Sequence, residues 1–332
     1  MKTQPLRRFA LMVLVLLCLI SSACRRADEH GGMDRVRFAL DWTPNTNHSG
    51  LYLARERGFY QDESIDIEFV ESDMNFIEMV ASDAAAFGMA AQEQVLQARA
   101  SMANIPVVAI AAVIQHNTSG FASPVDRGIK SPRDFEGKTY SGWGTELELS
   151  ILKTLMEQTG ADFDAVKIIN QSAGNFIASM ETEADFAWIY YGWDGMICEQ
   201  EDYPIHFIPI NAIEVLDFYS PVIITNEKTI RERPDLVRRF LKATAQGYTD
   251  AIMHPEDAVV SLMREAPELD PVLLLQSQRY LNERYIDNAP YWGAMDPRVW
   301  ARFSTWMQEH ELFDHPIDVE DAYDLSFLPK DG

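Results

Sequence analysis

Residues 38–60 read FALDWTPNTNHSGLYLARERGFY, and the fold depends on where this stretch divides. Its left end continues an apolar run from Val36 and has the character of a buried strand. Its right end has the spacing of an amphipathic helix. Gly58 follows Arg55, Glu56 and Arg57, which suits a helix C-terminus, with cations near the negative end of the dipole. Between strand and helix sits DWTPNTNHSG. Pro44 and Asn45 are turn residues, but a turn needs neither Trp42 nor His48.

Working outward, apolar runs predict strands over 36–40, 65–70, 87–90 and 107–113, alternating with helices over 48–57, 75–82 and 92–100. Pro124, Gly128 and Pro132 punctuate the entry to a second series. That series has strands over 138–141, 166–169, 186–189 and 205–210, with helices over 146–158, 175–180 and 192–199. A further strand over 221–225 leads into helices over 227–231, 235–253, 256–264, 272–282 and 297–309. Alternation of this kind implies βαβ units and mostly parallel sheets. The 332 residues exceed a typical single domain, so two α/β lobes around a ligand cleft, with a helical C-terminal tail, are expected.

The N-terminus bounds the compartment. Lys2, Arg7 and Arg8 precede an apolar run over 9–20 that is shorter than the ~20 residues a spanning helix needs. This is the form of a secretory signal, and it ends in Ser21-Ser22-Ala23-Cys24. The ending resembles a lipoprotein box, with 1–23 as signal peptide, Cys24 as the lipidated residue and 24–34 as tether; ordinary secretion is the alternative. Of the three cysteines only Cys198 then lies in the folded part, so no internal disulfide is available. Removing Lys2, Arg7 and Arg8 takes the formal charge from −23 to −26, which disfavours nucleic acid as a partner.

In open α/β sheets ligands bind beyond the C-terminal ends of strands, and the loops there share a composition. They are Asp41–His48, Ala91-Gln92-Glu93-Gln94, Ser141-Gly142-Trp143-Gly144-Thr145-Glu146 and Tyr190-Tyr191-Gly192-Trp193-Asp194, together with Asp217-Phe218-Tyr219-Ser220 before the strand over 221–225. Each combines aromatic or amide groups with a carboxylate. Rings give stacking surface, and amides and carboxylates give directional hydrogen bonds. Together they suggest a planar, nitrogen-rich heterocycle. Candidate ligand contacts are Trp42, Asn45, His48, Gln92, Trp143, Glu146, Tyr190, Trp193, Asp217 and Tyr219.

Plainer readings stand beside these. Trp143 and Trp193 could cover a sheet edge, Asp41 could cap the turn, and only one of Tyr190 and Tyr191 faces a cleft if the segment is extended. Gly142-Trp143-Gly144 opening a helix could seat a phosphate, although it lacks the following Lys/Ser pair or a third spaced glycine. HExxH, GxSxG, CxxC and P-loop patterns are absent, and neither His48 nor His116 has metal-ligand spacing. No catalytic residue, metal or cofactor is therefore expected.

The stretch DWTPNTNHSGLYLARERGFY resembles the DWxPNxxHxGxYxAxxxGxY signature of ABC-importer substrate-binding proteins of the thiamine-precursor group. The resemblance continues in GKTYSGWGTELE, WIYYGWDG, DFYSPVIITNE and RPDLVRRFLKATAQGYTDAIMHPEDAV. It implies a type II periplasmic-binding-protein fold, with 35–122 plus 220–332 as one lobe and 123–219 as the other. It also implies a ligand such as formylaminopyrimidine or hydroxymethylpyrimidine, with riboflavin or another small organic solute as alternative. The matching positions are Trp42, Asn45 and His48, then Tyr190, Trp193 and Asp217 to Tyr219. The implied partners are an ABC permease with its ATPase, and the membrane through Cys24. The implied protein is a monomer at the periplasmic or outer face of the cytoplasmic membrane. The group also includes a pyrimidine-phosphate synthase with a histidine at the position of His48 and cysteines near 217–221. This chain has the histidine and lacks those cysteines.

Overall fold

The computed structural model describes residues 32–72, 75–170 and 174–329. The expected signal peptide, Cys24 and most of the 24–34 tether lie outside the described residues. Asp34, placed in the tether from sequence, opens the first strand and pairs with Arg233 and Arg239.

Among the described residues, ten strands form two five-stranded sheets. The first contains β1 (Asp34–Leu40), β2 (Ile65–Glu71), β3 (Phe87–Ala90), β4 (Val107–Ala112) and, late in the chain, β10 (Val222–Asn226), in the order β2-β1-β3-β10-β4. The second contains β5 (Ser119–Pro124), β6 (Thr139–Gly142), β7 (Lys167–Asn170), β8 (Phe186–Tyr190) and β9 (Ile205–Pro209), in the order β7-β6-β8-β5-β9. The longer helices are α1 (Ser49–Glu56), α2 (Gln92–Ala100), α3 (Glu146–Glu157), α4 (Pro234–Met253), α5 (Pro255–Glu265), α6 (Pro271–Asn282) and α7 (Pro297–Glu309).

Two expectations need correction. The sheets are mixed: β10 runs antiparallel to β3 and β4, and β5 runs antiparallel to β8 and β9. These are the strands by which the chain enters the second sheet and returns to the first, and each crossing reverses direction. Strand β5 was also not expected. Its sequence SGFASP lacks β-branched residues, yet every position is buried. Gly120 is required there, because a Cβ would collide with the Ile208 carbonyl and the Phe207 ring. Since β5 begins at Ser119, the strand that straddles the expected 122/123 boundary lies wholly in the second sheet.

Each sheet has its own aromatic core. In the first, Phe87 stacks on Phe240 with centroids 3.9 Å apart, and Phe38 and Tyr60 pack on the same ring. In the second, Phe135 stacks on Phe186 at 4.2 Å, beside Phe121 and Tyr140. The outer edge of β4 is covered by the C-terminal segment: Ala112 N–H donates to the Gly293 carbonyl and Asp324 N–H to the Ala109 carbonyl. Helix α7 reaches the second-sheet side, where Trp306 Nε1 donates to Thr154 Oγ1 at 3.2 Å and Phe303 stacks on Phe218.

Helices α1 and α4 cross at close range. A Cβ on Gly247 would strike the Gly50 carbonyl, and one on Gly50 would strike the Tyr248 ring. The glycines let the two backbones touch, and this contact holds the N-terminus of α1, and the turn before it, against the C-terminal helices.

Candidate binding site

Between the two sheets lies a cavity of about 310 Å³, at the ends of β1, β3, β6 and β8. The reversed strands present their N-terminal ends at the same edge, so Thr118 before β5 and Ser220 and Pro221 before β10 also line it.

The turn over 41–48 is braced from within and from behind. Asn45 Oδ1 accepts from Asn47 N–H at 2.9 Å, and His48 Nδ1 accepts from Asn45 N–H at 3.2 Å, a reciprocal cap of the short helical turn Thr46–His48. Because Nδ1 is the acceptor, neutral His48 carries its proton on Nε2, which lies 2.8 Å from Asp41 Oδ1. From behind, Tyr248 and Tyr285 hydroxyls donate to the carbonyls of Asn47 and Thr46 at 2.6 and 2.7 Å. Asp41, Trp42 and Asn45 thereby face the cavity, with Trp42 58% exposed at its mouth. His48 has no exposed surface and does not line it; its chemistry is spent on holding the turn.

The loop after β6 is organised by Glu148, which lies two residues beyond the expected contact Glu146. The buried Glu148 carboxylate accepts from the backbone N–H groups of Trp143, Gly144 and Thr145 and from the Tyr140 hydroxyl. Those amides are occupied, so the phosphate-seat reading of Gly142-Trp143-Gly144 is set aside. Trp143 lines the cavity and is about half exposed, whereas Glu146 is exposed away from it.

The segment after β8 is a π-helical turn over Tyr191–Gly195 rather than the start of a regular helix. The turn places Tyr190, Trp193 and Asp194 on the cavity, while Tyr191 stacks outside on Tyr280 and Phe207. Burial pushes the Asp194 carboxyl up to about 6. Burial, then the nearby Glu93 carboxyl, holds the Tyr190 phenol above its usual range. Glu93 itself is pushed up to about 8 by burial, and its Oε2 has no partner among the described residues.

Three expected contacts serve the crossing segments and do not line the cavity. Gln92 is buried and exchanges hydrogen bonds with the backbone of Tyr219, both at 2.9 Å. Asp217 pairs with His116 at 2.6 Å and accepts from Asn117 N–H. The Tyr219 hydroxyl accepts from Asp296 N–H. Sequence reasoning passed over Phe76, Thr118 and Leu281, which line the cavity. A recognised β5 would have signalled Thr118; Phe76 and Leu281 carry no motif.

The lining described here contains two carboxylates, Asp41 and Asp194, and no Lys, Arg or His. It therefore favours donor-rich or cationic groups over anions. The lobes also touch across the opening. Trp193, from the second sheet's side, packs on the first lobe's cluster of Tyr52, Val259, Leu262 and Leu274. Ser277 Oγ donates to the Gly192 carbonyl, and Gln200 Nε2 to Asp270 Oδ2 at 2.7 Å.

The family model described as NMT1/THI5 like matches residues 45–258. The formylaminopyrimidine-binding protein of Halalkalibacterium halodurans is 26% identical over 96% of this chain and 98% of its own. The riboflavin-binding protein RibY of Chloroflexus aurantiacus is 24% identical over 90% and 87%. The 4-amino-5-hydroxymethyl-2-methylpyrimidine phosphate synthase of Legionella pneumophila is 24% identical over 89% and 92%. Among solved structures, the alkanesulfonate-binding protein SsuA of Xanthomonas axonopodis pv. citri shares the fold with a TM-score of 0.67 at 16% identity, covering 89% of this chain and 99% of that one. The architecture is that of a periplasmic binding protein, with two α/β lobes and a helical C-terminal tail.

Proposed function

The chain belongs to the NMT1/THI5-like family, and from that premise we propose that it is the extracytoplasmic solute-binding protein of an ABC importer, capturing an amino-substituted pyrimidine of the thiamine-precursor type by cleft closure. The observation that carries this reading is the cavity's lining. Trp42, Trp143, Tyr190 and Trp193 offer ring faces, and Asp41 and Asp194 offer acceptors for ring-bound amines.

Size and charge narrow the class. An apolar cavity of roughly 150 Å³ holds benzene, so 310 Å³ accommodates one substituted ring. Three fused rings with a sugar-alcohol chain, as in riboflavin, need more room than 310 Å³ offers. Among the described residues of the lining, a sulfonate or phosphate would meet two carboxylates and no cation. The synthase reading is less well supported, since His48 is sealed beneath the turn and no Lys, His or Cys is among the described residues that line the cavity. The protein then acts by binding alone, and closure is what a permease can sense, because a ligand shifts an open–closed balance only by binding one state better.

The lobes in this reading are residues 35–118 with 220–329, and 119–219, hinged at the two crossing segments. Cys24 would tether the protein to the membrane as a lipoprotein. A thermal-shift screen of the mature protein tests the ligand class. Formylaminopyrimidine or hydroxymethylpyrimidine at 100 times Kd should stabilise the fold by about 2.7 kcal/mol, while riboflavin and taurine should leave the melting point unchanged. Stabilisation by riboflavin or taurine alone would overturn the proposal.

A further inference from the structure

The cavity between the lobes is acidic and has no counter-charge in its described lining. Asp41 lines it from the first lobe and Asp194 from the second, with no Lys, Arg or His beside them. The two carboxylates are not equally satisfied. Asp41 Oδ1 accepts from the neutral imidazole of His48 at 2.8 Å. For Asp194 the one donor among the described residues is the Tyr190 N–H, which reaches Oδ2 at 3.3 Å. The titratable groups near it carry no positive charge either. Tyr190 is within electrostatic reach of Asp194, Asp41 and Glu93, and burial first holds its phenol above the usual range. Burial likewise pushes the Cys198 thiol up to about 12.

A ligand that fills the cavity displaces the water that solvates these carboxylates. A carboxylate taken out of water must then be paired or neutralised, and a neutral ring would do neither for Asp194. The walls point the same way. Trp42, Trp143, Tyr190 and Trp193 surround the space, and aromatic faces, indole above all, attract cations. Carboxylates and aromatic rings without a base form a setting that favours positive charge on the occupant.

We propose that the aminopyrimidine is bound as its cation, with one proton added to a ring nitrogen, and that Asp194 is the carboxylate that accepts from the resulting N–H. The assignment rests on the cavity being a pyrimidine site. The proton comes from solvent, its charge spreads onto the amino group, and no other bond changes. A charge-assisted contact is shorter and stronger than a neutral one, so Asp194 becomes a specificity residue. It separates amino-substituted pyrimidines, which are basic enough to take a proton, from oxo-pyrimidines and electron-poor rings of the same shape, which are not. Burial pushes the Asp194 carboxyl up to about 6, so near neutrality it is mostly ionised and ready to receive the cation.

The test is calorimetric titration of the mature protein with hydroxymethylpyrimidine in buffers of different ionisation enthalpy, which reads proton uptake directly. Above about pH 7 the free ring and Asp194 are both mostly unprotonated. Binding should there take up close to one proton per complex, and Kd should rise about tenfold per pH unit. Glu93, pushed up to about 8 by burial, titrates in the same range. Its ionisation favours a cation and opposes the rise, so Glu93→Gln should show the steeper slope. An analogue with trifluoromethyl in place of the ring methyl, too weak a base to be protonated, should bind about tenfold more weakly, without uptake. Asp194→Asn should weaken binding of the parent compound and abolish the uptake. Binding of the parent compound without proton uptake, or equal affinity for the trifluoromethyl analogue, overturns the cationic form and leaves the pyrimidine reading standing. Uptake that persists in Asp194→Asn overturns the role of Asp194. A wild-type protein that binds neither compound overturns the pyrimidine reading and the cationic form with it. The wild-type profile decides the matter by itself if the variants do not fold.

Discussion

Trp42 and His48 sit six positions apart in one turn and have opposite roles. Trp42 is more than half exposed and lines the cavity; His48 is fully buried and holds Asp41 and Asn45 in place. Trp42→Ala should weaken pyrimidine binding about tenfold or more through lost stacking, while changing stability by no more than about 0.5 kcal/mol. His48→Ala leaves buried polar partners unmade and should cost about 2–3 kcal/mol of stability by urea unfolding. Residue type in the sequence marks both as unusual, but it does not say which one faces the cavity, because that depends on whether a polar atom finds a partner inside the fold. Gln92, Asp217 and Tyr219 went astray for the same reason. Glu93 gives a pH prediction. Burial holds its carboxyl up to about 8, above the ordinary 4.5, so the folded state retains a proton that the unfolded chain releases. Its contribution is greatest below the ordinary pKa and is lost as pH rises toward 8. Glu93→Gln should therefore flatten the fall in urea midpoint from about pH 5 to about pH 8 and stabilise the protein at the upper end.

At the scale of elements, periodicity was legible and reversal was not. The strand–turn–helix reading of 38–60, the parallel pairs β1–β2 and β6–β7, and the C-terminal helices follow from apolar spacing. Strand β5 is hard to read because, Phe121 apart, its residues are small and none is β-branched, and Gly120 is required by the close approach of β9. The helix expected over 192–199 opens as a π-helical turn over Tyr191–Gly195, since an extra residue in a turn leaves no mark on composition. The loop after β6 has its own support in Glu148. Glu148→Ala strips an acceptor from three backbone amides and should cost about 2–4 kcal/mol. It should also weaken ligand binding by freeing Trp143, and Glu148→Gln, which keeps one oxygen, should do less of both. The contact of α1 with α4 permits no side chain at Gly247. Gly247→Ala should destabilise by about 1–3 kcal/mol as an overpacked core does, read in the same urea series.

For the whole molecule, the cavity and the contact between the lobes share Trp193 and Gly192. Trp193 is a wall of the cavity and also seals the opening against Tyr52, Val259, Leu262 and Leu274. Trp193→Ala should raise the radius of gyration of the free protein in small-angle scattering, and a ligand should then restore the compact form only at higher concentration, because it must supply more of the closing free energy. An unchanged radius in the variant would remove Trp193 from the closing contact. The central claim is that the cleft closes on one amino-substituted pyrimidine ring. Isothermal titration of the mature wild-type protein with formylaminopyrimidine, riboflavin and an alkanesulfonate tests it most directly. The account predicts one-to-one binding of the pyrimidine with Kd near or below about 1 μM, a negative heat-capacity change from burial of the ring, and no heat with the other two. Tighter binding of riboflavin or of the sulfonate, with no heat from the pyrimidine, would contradict it.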